Sequence, residues 1–143
     1  MLSVFALSLA LLHSQFICSG AQAQPRTWSL IQAGNQAVSN SDWATAAPVY
    51  DQLVKSNPGR SLYWYYLAVS HDRLGNFDQA IRAYRTVYDL GNSKAHMIRQ
   101  VASLQARLGQ KQECLKTLRQ MLAEGFWGWQ DVYDDRTDDE VQR

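Results

Sequence analysis

Residues 61–94 read SLYWYYLAVSHDRLGNFDQAIRAYRTVYDLGNSK. Trp64, Leu67 and Ala68 fall on one face of a first helix. Ala80, Tyr84 and Val87 fall on one face of a second, because residues three and four apart share a helical face. Gly75-Asn76 separates the two helices, and Gly91-Asn92-Ser93 stops the second. The pattern continues on both sides without a gap, so that three 34-residue windows run Thr27–Arg60, Ser61–Lys94 and Ala95–Gly128. Numbering positions from 1 to 34 within each window, position 4 holds Leu30, Trp64 and Ile98, and position 7 holds Ala33, Leu67 and Val101. Position 8 holds Gly34, Ala68 and Ala102, and position 20 holds Ala46, Ala80 and Cys114. Position 24 holds Tyr50, Tyr84 and Leu118, and position 27 holds Leu53, Val87 and Met121. Small residues at 8 and 20 let paired helices approach closely, while bulky ones at 4, 24 and 27 fill the space between neighbouring pairs. The turns recur with the period, at Asn40-Ser41-Asp42, Gly75-Asn76 and Gly109-Gln110, and Asn57-Pro58-Gly59 separates the first pair from the second.

This pattern resembles the tetratricopeptide repeat family, whose unit is a 34-residue helix-turn-helix. The middle window carries Trp64, Leu67, Ala68, Gly75, Phe77, Ala80, Tyr84 and Val87 in the signature places, and the first carries Gly34, Trp43, Ala46, Tyr50, Leu53 and Pro58. The third diverges, with Lys111 for the usual aromatic at position 17 and Phe126 where proline is common. The resemblance implies an all-α, right-handed superhelical solenoid of three hairpins, with helices near 28–40, 43–56, 61–74, 77–90, 95–108 and 111–124. The expected domain runs from 24 to 128, divided into repeats 27–60, 61–94 and 95–128. Each hairpin buries its face only against a neighbour, so three is near the minimum for a stable stack.

Outside the repeats, Leu2–Leu12 is an uncharged apolar run, too short for a membrane span and of the length of an export-signal core. Ala21-Gln22-Ala23 follows as a small-residue cleavage site, which predicts a signal peptide at 1–23, a mature chain from Gln24 and a periplasmic or secreted location. Contact with a membrane would then be transient, through the signal alone. Formal net charge is +1, and nothing in it points to nucleic acid. The charge is unevenly placed, at +4 over 27–128 and −4 over 129–143. The segment 129–143 is expected to be an acidic tail that helps cap the third hairpin, with Trp127, Trp129, Val132 and Tyr133 supplying apolar cover. Its sign also suits it to lie over a basic groove. Of Cys18 and Cys114, only the second would remain after cleavage, which rules out an intramolecular disulfide and suggests a buried thiol at a packing position.

In the family, positions 2, 5, 6, 9, 12 and 13 of the first helices line the concave face. By that resemblance the candidate ligand-binding residues are Trp28, Asn35, Tyr65, Tyr66, Val69, Arg73, Arg99 and Arg107. Tyr, Trp and Arg are the side chains that most often carry interface energy, although the tyrosines could equally pack between hairpins and the arginines stand solvated. The family's chaperone-tail carboxylate clamp is not matched: of Ile31, Asn35, Tyr66, His96 and Gln100, only Asn35 fits.

No catalytic residue, metal site or cofactor is expected. His71 and His96 lie in different hairpins without a carboxylate or cysteine at ligand spacing. There is no nucleophile elbow or phosphate-cradling loop, and the acidic run lacks the spacing of a calcium loop. The expected activity is therefore non-enzymatic protein or peptide binding, as an adaptor or assembly factor of the cell envelope. Two other readings are the amino-terminal repeat region of a longer exported enzyme and a protein that self-associates through its end hairpin.

Overall fold

The computed structural model describes residues 23–126, with side chains from residue 27 onward. The expected cleavage signal and the acidic tail 129–143 lie outside these residues, apart from Ala23 at the signal's end. Six helices follow one another: α1 (Ala23–Ser39), α2 (Trp43–Ser56), α3 (Ser61–Arg73), α4 (Phe77–Asp89), α5 (Lys94–Arg107) and α6 (Lys111–Ala123). Each packs on its neighbours in chain order, α1 on α2, α2 on α3 and so on to α6. The chain is thus an all-α helical-repeat solenoid. The first helix opens at Ala23 rather than near 28, running through Pro25. A proline there costs no helical hydrogen bond, because the first-turn N–H groups have no intrahelical partner.

The turns between paired helices repeat with the period. Position 15 of each window is left-handed, at Ser41 (φ 57°), Gly75 (φ 78°) and Gly109 (φ 70°). In each case the next residue's amide reaches back five residues, Asp42 to Ala37 O (2.8 Å), Asn76 to His71 O (2.8 Å) and Gln110 to Gln105 O (2.9 Å). These are Schellman closures, which satisfy carbonyls that a helix end would otherwise strand. Asp42 additionally caps α2, accepting from the Thr45 amide at 3.1 Å. That bond lowers the Asp42 pKa by favouring the carboxylate.

The core has two parts. One gathers Ala37, Ala46, Tyr50, Leu53, Val54, Tyr63 and Leu67 between α1, α2 and α3. The other gathers Ala68, Ala80, Ile81, Ala83, Tyr84, Val87, Met97, Val101 and Leu104 between α3, α4 and α5. Trp64 packs against both, and its indole N–H donates to Pro58 O at 2.8 Å, fixing the link between the first two hairpins. The positions of the 34-residue frame are therefore filled as their sizes require. Two parts of that frame depart from expectation at the last hairpin. Cys114 is half-exposed rather than buried, and Leu118 is exposed, because among the described residues no further helix covers α6.

Gly34 shows how tight the paired-helix crossing is. A Cβ there would meet the Tyr50 ring at 3.0 Å and 3.2 Å and its hydroxyl at 3.2 Å. Tyr50 is buried and cannot retreat, because its ring stacks on Tyr66 at 5.0 Å and its hydroxyl is held by Asn35. Gly34→Ala gains up to about 1 kcal/mol of helix propensity, yet the overpacking costs about 1–3 kcal/mol. The expected net result is a lower thermal midpoint, measured by circular dichroism; a raised midpoint would show that the ring gives way.

Candidate functional site

The eight candidate binding residues sit on α1, α3 and α5. The structure links three of them, Asn35, Tyr65 and Tyr66, through one continuous set of side chains. The Tyr50 hydroxyl donates to Asn35 Oδ1 at 3.0 Å. Its ring stacks on Tyr66 (5.0 Å, 26°), Tyr66 meets Tyr65 edge-on (5.6 Å, 64°), and Tyr65 meets Tyr84 edge-on (6.4 Å, 64°). Tyr63 joins at 6.5 Å from Tyr50. Offset and edge-on pairs of this kind suit the quadrupole of the rings. Tyr65 and Val69 pack against the second part of the core. Tyr65 and Tyr66 are half-buried, so each has one side in the fold and one edge toward the surface. Burial pushes the hydroxyls of Tyr50 and Tyr84 well above the usual phenol range, which keeps them neutral donors.

The arginines divide into two kinds. Arg73 lies over the Trp43 ring at 5.8 Å, and Arg107 over the Phe77 ring at 4.1 Å. Arg107 also donates to Asp72 Oδ1 at 2.8 Å. Each is a position-13 cation seated on the position-17 aromatic of the preceding window, so the pair is a repeated link between hairpins. Arg99 differs: it is half-buried and has no carboxylate within ion-pair distance among the described residues. Trp28 is exposed on α1 and stands apart from the tyrosine set. Reasoning from the sequence did not single out Trp43 and Phe77 as seats for the two arginines. The available signal was the 34-residue spacing shared by Arg73 and Arg107 and by Trp43 and Phe77.

The two described histidines are packing groups. His96 lies within 3.2 Å of Gln100 Nε2, and burial followed by the Arg99 charge lowers its pKa. His71 Nδ1 is buried without a hydrogen-bond partner. Burial lowers its pKa, Asp51 partly offsets this, and Arg82 adds to it. Both folded-state values lie below the 6.5 of a free histidine, so the unfolded chain takes up protons first as pH falls. The stability these neutral rings allow is present above pH ~6.5 and is lost below it. The thermal midpoint is expected to drop between pH 7 and pH 5, and to drop less in His71→Gln; an equal drop in that variant would place the effect elsewhere. Among the described residues no three His, Cys, Asp or Glu side chains are grouped to hold a metal ion, and no helix is long and apolar enough to cross a membrane.

This repeated crossing of short helices, with small residues at the contact and a left-handed turn every 34 residues, has known counterparts. Residues 31–95 match the tetratricopeptide repeat family model. The match runs from within α1 to the start of α5. The Small glutamine-rich tetratricopeptide repeat-containing protein 2 of Saccharomyces cerevisiae is 22% identical over 102 residues, which is 71% of this chain and 30% of that protein. The chain thus spans less than a third of the length of this curated relative. Among solved structures, a MamA chain (AMB-1) superimposes with a TM-score of 0.62 at 24% identity, covering 73% of this chain and 63% of that one. A chain of a CopN–Scc3 complex gives 0.65 at 20% identity, covering 81% and 67%. These likenesses establish the tetratricopeptide-like fold.

Proposed function

We propose that this chain is a non-enzymatic protein-binding module of three tetratricopeptide repeats, acting outside the cytoplasm as an adaptor or assembly factor of the cell envelope. In this reading an extended segment of a partner protein lies along α1, α3 and α5. Tyr65 and Tyr66 serve as aromatic anchors that need little ordering, because neighbouring rings already hold them. Arg99 orients a carboxylate of the ligand. The observation that carries the reading is the contrast among the arginines. Arg73 and Arg107 are engaged by rings or by Asp72, whereas Arg99 is half-buried beside a neutral His96 without an acidic partner among the described residues. A partly desolvated cation of that kind gains most from an incoming anion. The likeness to a chain of the CopN–Scc3 complex supports a protein partner. The apolar run at Leu2–Leu12 supports export.

The test is capture of partners from envelope extract by residues 24–143, beside the Tyr65→Ala/Arg99→Glu variant. The variant is expected to stay helical and to bind the captured partner at least about tenfold more weakly. Equal retention by a helical variant would remove this face from the reading.

A further inference from the structure

His96, Arg99 and Gln100 occupy positions 2, 5 and 6 of the third window, and all three are half-buried. Spacings of three and four residues put them on one face of α5. At neutral pH His96 is a packing group, and its contact with Gln100 fixes which way the amide points. Gln100 Nε2 lies 3.2 Å from His96 Nε2. An amide nitrogen can only donate, so the ring nitrogen is the acceptor and carries no proton. The neutral ring therefore holds the NH2 of Gln100 toward the imidazole and leaves Oε1 turned away. A protonated imidazole has donors at both nitrogens. Its Nε2–H would meet the amide NH2, donor against donor. Rotating the amide by half a turn removes the conflict. Oε1 then accepts from the ring, and the NH2 takes the place that Oε1 held.

The charges around the ring are few. Burial first, and then the Arg99 charge, hold the His96 pKa below its ordinary value. On α5 itself, Lys94 lies over the Tyr88 ring, and Arg107 is paired with Asp72 of α3. The helices packed on α5 are α4 and α6. Their charged residues are Asp78, Arg82, Arg85 and Asp89, then Lys111, Glu113, Lys116 and Arg119, and all of them are exposed. Arg99 is thus the charge that acts on His96 among the described residues. His71 differs, because Asp51 of α2 and Arg82 of α4 act on it. Its proton answers to the packing of the second helices, whereas that of His96 answers to the face that carries Arg99.

We infer that His96, Gln100 and Arg99 form a proton-gated seat for a carboxylate of the partner segment. The inference rests on the reading of the α1, α3 and α5 face as the binding surface. A carboxylate docked at Arg99 offsets the charge that disfavours the imidazolium, so His96 takes up a proton on binding. The turned amide of Gln100 then supplies a second donor. The two carboxylate oxygens bridge the guanidinium and the amide, and the imidazolium adds a charge behind them. Proton and carboxylate therefore favour one another, and by reciprocity each tightens the other's binding. The sign follows. The His96 pKa is higher with the anion bound than without it, so affinity rises as pH falls through the histidine range.

The experiment titrates the whole chain with a blocked hexapeptide of alternating glycine and glutamate, followed by NMR at pH 7.5 and pH 5.5, where the glutamates stay ionised. The chain has three histidines, so the imidazole signals are few. The peptide is expected to raise the His96 pKa by about one unit and to bind about fivefold more tightly at the lower pH. His96→Gln should match the wild type at pH 7.5 and lose the pH dependence. Gln100→Met keeps the length without the amide and should lose at least half of the gain. An unchanged His96 pKa, or a pH dependence that persists in His96→Gln, would overturn the inference. Equal binding at the two pH values that Arg99→Gln abolishes would also overturn it, and would leave the face standing as a binding surface. No binding by the wild type at pH 5.5 would remove the seat, and with it the role of Arg99 in the reading above.

Discussion

Replacing Tyr84 by alanine is expected to destabilise the chain by about 3–5 kcal/mol, the range for removing a large buried ring. Tyr84 is 3% exposed and lies in the core shared by α3, α4 and α5, with Tyr65 edge-on at 6.4 Å. In a solenoid, stability is close to a sum of hairpin terms and contacts between neighbours. A cavity at Tyr84 therefore weakens the junction that couples the second hairpin to the third, as well as the second hairpin itself. Tyr50→Ala removes the register equivalent one hairpin earlier and is expected to cost a similar amount. Tyr50→Phe keeps the ring stack on Tyr66 and loses only the bond to Asn35, for about 1 kcal/mol. Urea denaturation of the three variants checks the order. If Tyr50→Phe cost as much as Tyr50→Ala, the hydroxyl rather than the ring would hold the junction.

The helices were legible because the period fixes both the faces and the turns. The expected spans near 61–74, 77–90 and 111–124 differ from α3, α4 and α6 by one residue at the carboxyl end. At those ends a left-handed glycine, Gly75, Gly91 or Gly125, follows the last turn. What was not legible is which residue of one window meets which residue of the next. Periodicity places Tyr50 at a packing position but does not show that its hydroxyl reaches Asn35. It lists Arg73 and Arg107 as cations lining a face, whereas the structure seats them on Trp43 and Phe77. Arg99 has the same residue type and no such seat, a difference that depends on the neighbouring window rather than on its own. The orphaned Nδ1 of His71 is of the same kind. Position 11 faces the partner helix in every window, holding Ala37, His71 and Gln105 in turn, and only the packed structure shows which polar occupant found a partner.

Gln105 did, and the expected consequence is a test of how buried polar groups behave. It is 1% exposed, and its Oε1 accepts from Thr117 Oγ1 at 2.8 Å across the α5–α6 contact. Thr117 is the buried residue of α6. Thr117→Val preserves shape but leaves a buried acceptor without that donor, for an expected loss of about 2 kcal/mol, within the range for an unsatisfied buried group. Adding Gln105→Leu removes the stranded amide and is expected to restore most of that loss, because the pair is then apolar on both sides. A side chain that gained its bond from water would behave otherwise: Thr117→Val alone would be near neutral. Thermal denaturation of the two single variants and the double separates these cases. The α5–α6 contact is the right place to look, since α6 has little other buried surface among the described residues, and a single polar bond there carries a larger share of the hairpin than it would in the first two.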